Sequence, residues 1–250
     1  MTRKLLLAAL TVCLFAASAF AASGAVASGA TTDRGAIPGA YIVTLVDAAS
    51  PDRVANEHAR DHGVQVSHIY RYALRGYAAN MSAAAAQRVA RDPRVEALVP
   101  DRPVSAYGKP PKETPPPPET IPTGVARTGG PRGAGAAVAV IDTGIDLDHP
   151  DLNVSSLGRN CTTERNTDDG NGHGTHVAGT IGAIDNEIGV VGVAPGTPVI
   201  AVKVLTRSGS GSWSSVICGV DWVTAHADTI KVANMSLGGT GGEGSCIDGG

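Results

Sequence analysis

The stretch Asn171-Gly172-His173-Gly174-Thr175-His176-Val177-Ala178-Gly179-Thr180 constrains this chain more than any other. It sets an imidazole among residues with small or no side chains. Gly172, Gly174 and Gly179 let other backbone come close. From Thr175 to Ala183 the residues are small and apolar, which predicts a buried helix over residues 174–184. A histidine where a loop meets a rigid helix holds the place of a catalytic base. A lone histidine is more often a surface or satisfied core residue, so an upstream partner matters. Ala137-Val138-Ala139-Val140-Ile141 reads as a fully buried strand, and Asp142 follows at its carboxyl end, where an open parallel sheet gathers its functional groups. A carboxylate there can accept the imidazole N–H, fix the tautomer and stabilise the imidazolium.

The chain around these stretches alternates in the same way. Residues 138–141 are expected as a strand, 174–184 as a helix and 199–204 as a strand. A helix over 212–226 carries an apolar stripe at Val216, Ile217, Val220 and Val223, and a strand over 232–235 follows. Such alternation predicts an α/β domain, a parallel sheet with helices on both faces, over residues 119–250. Hydrophobic residues make up 42% of the 250 and aromatics 4%, so the core is expected from Val, Ile, Leu and Ala. The length leaves room for a second, small domain. A net charge of -3 without a long basic run argues against nucleic acid as a partner.

At the N-terminus, Arg3-Lys4, an apolar run over 5–20 and Ala21-Ala22-Ser23 read as a secretory signal peptide, residues 1–22. No stop-transfer charges follow, so a secreted, extracellular protein free of the membrane after signal cleavage is expected. Residues 39–107 have their own rhythm. Strands are expected over 41–46, 64–70, 74–81 and 95–99. Helices are expected over 51–62, with Ser50 as N-cap, and over 82–91, with Ser82 placed to cap it. The order βαββαβ predicts a small α+β ferredoxin-like domain. The proline-rich segment 103–122 connects the two parts. Lys109-Pro110-Pro111 and the prolines of 115–118 give its linker, residues 108–118, polyproline II character.

Five blocks resemble the subtilisin-like serine proteases, in that family's order. They are Val140-Ile141-Asp142-Thr143-Gly144-Ile145-Asp146, His149-Pro150-Asp151-Leu152, the 171–180 stretch, Ile188-Gly189-Val190-Val191-Gly192-Val193-Ala194-Pro195 and Asn234-Met235-Ser236-Leu237-Gly238-Gly239. Residues 39–107 resemble the family's inhibitory propeptide, in Tyr41-Ile42-Val43 and Val95-Glu96-Ala97-Leu98-Val99. The resemblance implies a secreted serine endopeptidase precursor with an Asp-His-Ser triad. Asp142 would orient His173, His173 would be the general base, protein or peptide segments the substrate, and the propeptide an intramolecular inhibitor. The family's nucleophile motif, of the Gly-Thr-Ser-Met-Ala type, does not occur here, nor does its side-chain oxyanion donor. Asn234 matches an earlier strand. The domain is therefore expected to be C-terminally incomplete and inactive alone, the N-terminal part of a longer preproprotease.

The resemblance also implies binding sites. Gly209, Ser210 and Gly211, with Ser236, Leu237 and Gly238, match the two segments that add strands to a bound peptide. Val104-Ser105-Ala106-Tyr107 would lie in the cleft ahead of a self-cleavage point. A structural calcium ion would take side-chain oxygens from Asp151, Asn186 and Glu119, the last standing where the family often has glutamine. Ile184, Ile188 and Val190 would give carbonyls. Of the four cysteines Cys13 leaves with the signal peptide, and Cys161, Cys218 and Cys246 remain. Cys161 with Cys218 is one candidate pair and Cys246 with a cysteine outside this sequence another. Spacing does not choose between them.

Other chemistries fit less of the chain. Asp142-Thr143-Gly144 looks like half of an aspartic protease site, but a second Asp-Thr/Ser-Gly is absent and that chemistry needs two carboxylates. His173 and His176 could ligate zinc, but no Glu follows the first as general base. The alternative outside the enzymes is a non-catalytic protein whose small domain binds and inhibits a protease in trans.

Overall fold

The computed structural model describes residues 35–108 and 118–239. The expected signal peptide, most of the linker and Cys246 lie outside them. The first part runs β1 (Ala40–Leu45), α1 (Pro51–His62), β2 (Gln65–Tyr70), β3 (Gly76–Asn80), α2 (Ala83–Val89) and β4 (Val95–Pro100). Its sheet is antiparallel throughout, in the order β2-β3-β1-β4, as the ferredoxin-like pattern demands. Strand alternation gives this sheet two apolar faces. Val43, Leu45, Tyr77 and Ala79 pack against Val54 and Ala55 of α1 and Ala85, Ala86 and Val89 of α2. Ile42, Tyr70 and Ala78 turn the other way and join the core of the second part.

The two predicted caps differ. The Ser82 hydroxyl accepts from the Ala85 N–H at 3.2 Å. Ser50 stands at the N-cap of α1 with extended backbone, yet its side chain makes no cap bond. Pro51 begins that helix with a φ already suited to it.

The first part ends in β5 (Pro103–Ala106), and the second part has α3 (Thr123–Arg127), β6 (Val138–Asp142), β7 (Val154–Asn160), α4 (His173–Gly182), β8 (Val199–Lys203), β9 (Ser210–Ser212), α5 (Trp213–Ala225), β10 (Val232–Asn234) and β11 (Leu237–Gly238). A parallel sheet runs β10-β6-β8-β7. Alternation along β6 and β8 again decides the layers. Val140, Val199 and Ala201 pack on Ala178 of α4. Ala139, Ile141, Ile200 and Val202 pack on Val216 and Cys218 of α5. The helices thus cover opposite faces of the sheet. Two elements depart from expectation. The segment 103–106, read as part of a connection, is instead the middle strand of a three-stranded antiparallel sheet, β11-β5-β9. The edge strand β7 was not expected at all, because Val154-Ser155-Ser156-Leu157-Gly158-Arg159-Asn160 is too polar to read as one.

The first part docks on α5. The Tyr70 hydroxyl donates to the Ser214 carbonyl at 2.9 Å. Asp221 Oδ1 accepts the backbone N–H groups of Arg71, Tyr72 and Ala73 at 2.9, 2.6 and 2.8 Å. In return Asp101 accepts from Ser214, from its N–H at 3.1 Å and its hydroxyl at 2.5 Å, in the first turn of α5. A disulfide joins Cys161, just past β7, to Cys218 on α5 across a Cα–Cα distance of 6.0 Å, which decides the pairing that spacing left open. Among the described residues no helix is long and apolar enough to cross a membrane.

Candidate active site

Asp142 ends β6 wholly buried, and His173 opens α4 at 6% exposure. The helix begins on the histidine itself, one residue earlier than predicted, so the imidazole rides on a rigid element. Its N-cap, Gly172, has φ 97°, which a side chain would disfavour. Gly174 is needed for space as well. A Cβ there would collide with the Gly144 carbonyl oxygen, which follows Asp142 by two residues. Gly179 differs from the expectation of close approach, since a Cβ there would meet nothing within 4 Å.

The two side chains meet. His173 Nδ1 lies 2.8 Å from Asp142 Oδ1, and the same oxygen accepts the Thr143 N–H at 2.7 Å. Burial pushes the Asp142 carboxyl above the ordinary carboxylate range, against the pull of the hydrogen bonds from His173 and Thr143. On the other side of the ring, Nε2 lies 2.7 Å from the Tyr107 carbonyl oxygen.

Tyr107 reaches the imidazole because β5 lies between β9 and β11. Val104 and Ser105 stand opposite Gly211 and Ser210, and Ser105 and Ala106 opposite Gly238 and Leu237. The ladder extends beyond the strands. Ala106 N–H donates to the Gly209 carbonyl at 2.9 Å and Tyr107 N–H to the Ser236 carbonyl at 3.1 Å. All six residues singled out for peptide binding therefore flank one extended segment of this chain. Val104 is 2% exposed while Tyr107 is 66% exposed. The Tyr107 ring lies over Gly238, where any Cβ would strike it.

The residues singled out for calcium also gather. Glu119 Oε1 accepts the Asn186 and Glu187 N–H groups at 2.7 and 3.2 Å. Asp151 accepts from Val190 N–H through Oδ2 at 3.4 Å and from Ile184 N–H through its carbonyl at 3.0 Å. Asn186 Oδ1 accepts from Ile188 N–H at 3.2 Å. Asp151 Oδ1 is buried without a hydrogen-bond partner, and burial pushes that carboxyl up. A hard cation would relieve both conditions. Among the described residues no three His, Cys, Asp or Glu side chains stand together as a metal cluster, so the donors here would be mixed carboxylate, amide and carbonyl oxygens.

One residue escaped sequence reasoning. Asp169 is the second of two adjacent aspartates in a polar loop, with nothing in the pattern to separate it from Asp168. In the structure it accepts hydrogen bonds from both sides of the Asp142–His173 pair.

The chain is similar to known proteins over both of its parts. Residues 133–248 match the subtilase family and residues 40–107 the peptidase inhibitor I9 family. The chain is 50% identical to Subtilisin Savinase of Lederbergia lenta over 127 residues, 48% of this chain and 46% of that protein. It is 44% identical to Subtilisin DY of Bacillus licheniformis over 131 residues, 50% of this chain and 47% of that one. Against Subtilisin E of Bacillus subtilis it is 38% identical over 190 residues, 73% of this chain and 46% of that one. The chain thus spans just under half the length of these relatives. Residues 40–107 belong to the peptidase inhibitor I9 family and residues 133–248 to the subtilase family, and together they fit a subtilisin-like preproprotein.

Proposed function

We propose that this chain is the leading part of a secreted serine endopeptidase precursor, with residues 39–107 as its intramolecular inhibitor and residues 108–118 as the linker to the protease portion. The observation that carries the reading is the seat of Tyr107. Its carbonyl meets His173 Nε2 while its own segment is paired on both sides as an extended peptide. That supports Tyr107–Gly108 as the bond the precursor cuts in itself. It also supports segments 209–211 and 236–238 as the groove for protein and peptide substrates.

The chemistry follows from the pair. In the proposed precursor a serine hydroxyl attacks the Tyr107 carbonyl carbon. His173 Nε2 takes the hydroxyl proton as the C–O bond forms, and Asp142 holds the ring and stabilises the imidazolium. The Tyr107–Gly108 C–N bond then breaks, and the imidazolium returns its proton to the leaving Gly108 amine. Water hydrolyses the resulting ester with His173 again as base. Glu119, Asp151 and Asn186, with the carbonyls of Ile184, Ile188 and Val190, would hold a calcium ion. It would supply positive charge to a carboxyl now buried with an unpaired oxygen, and tie the 184–190 loop to the start of the protease portion.

The test is secretion of the full-length precursor and mass analysis of the released fragment. A fragment ending at Tyr107 is expected. Asp142→Asn should lower kcat by about 10⁴-fold, as in other Ser-His-Asp triads, and His173→Ala by at least as much. Self-cleavage elsewhere would remove the assignment of the bond. Near-normal turnover by either variant would remove the pair from catalysis.

A further inference from the structure

We infer that Asp169 is a positioning residue for the catalytic pair, a carboxylate that fastens the end of β6 to the first turn of α4 and so sets where His173 stands relative to Asp142. The inference rests on the reading of Asp142 and His173 given above and adds a second carboxylate to it.

The hydrogen bonds carry the argument. Asp169 Oδ1 accepts the Thr143 hydroxyl at 2.8 Å and the Asn171 and Gly172 N–H groups at 2.9 Å each. Its Oδ2 accepts the Thr175 N–H at 2.9 Å and the Thr175 hydroxyl at 2.7 Å. Thr143 passes the connection on. Its hydroxyl, donating to Asp169, accepts the Gly174 N–H at 2.9 Å, and its own N–H bonds Asp142 Oδ1. Every link in this chain touches a neighbour of one of the two catalytic side chains.

The local sequence explains why such a clamp is needed. A helix start normally ties up its free N–H groups with a side-chain oxygen from the N-cap. Here the N-cap is Gly172, which has no side chain and makes no such bond. Asp169, three residues earlier, takes over the duty by receiving the Thr175 N–H in the first turn. A carboxylate at a helix N-terminus is also favoured by the helix dipole. Burial works against its charge, but the Gly172 and Thr175 donors outweigh this and keep its carboxyl below the ordinary range. The group is therefore an anion fixed beside the pair, and its field opposes the charge on Asp142. During turnover positive charge develops on the ring beside this fixed anion. Other charges near the loop are already engaged. Lys203 meets the Thr143 carbonyl and pairs with Glu164 at 3.0 Å, and the Arg207 side chain packs on Gly170.

The experiment compares Asp169→Asn, Thr143→Val, Thr143→Ser and His173→Ala in the full-length precursor, with peptide hydrolysis by the matured enzyme followed across pH. Asp169→Asn keeps the shape but loses the charge and half of the acceptors. It should lower kcat by about 10²-fold, the scale of a small misplacement of reacting groups, with KM within about twofold. The acid limb of its kcat profile should move to lower pH, which a lower active fraction alone would not do. Thr143→Val keeps the anion but cuts the relay, so kcat should fall with the limb unmoved, and Thr143→Ser should restore it. An Asp169→Asn enzyme within about threefold of the parent, or one with an unmoved acid limb, overturns the inference. If Asp169→Asn does not mature, the threonine pair decides, and a Thr143→Val enzyme as active as Thr143→Ser overturns it. Activity surviving in His173→Ala would instead sink the underlying catalytic reading.

Discussion

The inhibitor part meets the protease part in two places that work by different physics. Its folded body docks through side chains. Asp221 of α5 gathers the backbone N–H groups of the turn after β2, and Asp101 answers at the other end by receiving Ser214. Its tail, β5, docks through main chain, as the middle strand between two short glycine-containing strands, and buries one side chain, Val104. A main-chain ladder accepts many sequences, whereas a carboxylate aimed at one turn accepts one shape. Under the proposed function the body would carry the recognition of this particular enzyme, and the tail would present itself as any substrate does. A tail read as substrate can be cut while the body still holds the fragment in place.

Three measurements break or sharpen this contrast, all on the matured full-length enzyme titrated with residues 35–107. The largest effect is expected from Asp221→Ala on the enzyme. Losing three charge-assisted hydrogen bonds should weaken inhibition by about 10²-fold, near 3 kcal/mol. Hydrolysis of short peptides, which never reach α5, should stay unchanged. A loss under about threefold would mean the body adds little.

Val104→Ala in the tail comes next. Removing two buried methyl groups should weaken inhibition by about tenfold. An effect equal to that of Asp221→Ala would erase the distinction between body and tail.

The smallest effect is a pH dependence from His68 on β2, which lines a cavity of about 470 Å³ between the two parts with Asp101, Cys161 and Ser214. Burial lowers its pKa first and the Arg159 charge second, with Asp101 pulling the other way. The docked histidine thus binds a proton less readily than the free one. Its favourable share of docking is complete above the ordinary histidine value, near 6.5, and is lost as pH falls through the lower docked one. Inhibition should weaken as pH falls below about 6.5, more for the parent than for His68→Gln. Equal slopes for the two would remove His68 from the interface energetics.

What could be read from sequence follows the range of each interaction. The buried strand ending in Asp142 and the helix opening on His173 announce themselves through local runs of apolar and small residues. The βαββαβ order does so through alternation and capping serines, though Ser50 occupies its cap position without using its hydroxyl. The edge strand β7 carried no such signal, since an edge needs only one buried face and its register with β8 shifts between Val154 and Gly158. The strand nature of 103–106 was hidden because its partners come from more than a hundred residues later. Asp169 and Asp221 were invisible for a related reason. Each acts by receiving backbone N–H groups, and the groups it serves leave no imprint on its own neighbours in the chain. Glycine-rich segments could be placed only through family likeness, because bare backbone has no pattern of its own.

The link between Cys161 and Cys218 bears on what is left once the inhibitor part departs. While the inhibitor part is docked, the first turn of α5 is supported first from that part, by the Asp101 carboxylate and the Arg102 carbonyl, and second by the Ser212 hydroxyl cap. The proposed maturation would withdraw the first. The disulfide closes a loop of 57 residues between the sheet edge and that helix, which in a chain-entropy account restricts the unfolded ensemble by about 4 kcal/mol. That contribution does not depend on the inhibitor being present. A helix assembled with help from a transient partner would thereby be kept by a covalent one, and the oxidising surroundings in which such a bond forms would become a condition for the lifetime of the proposed enzyme after release.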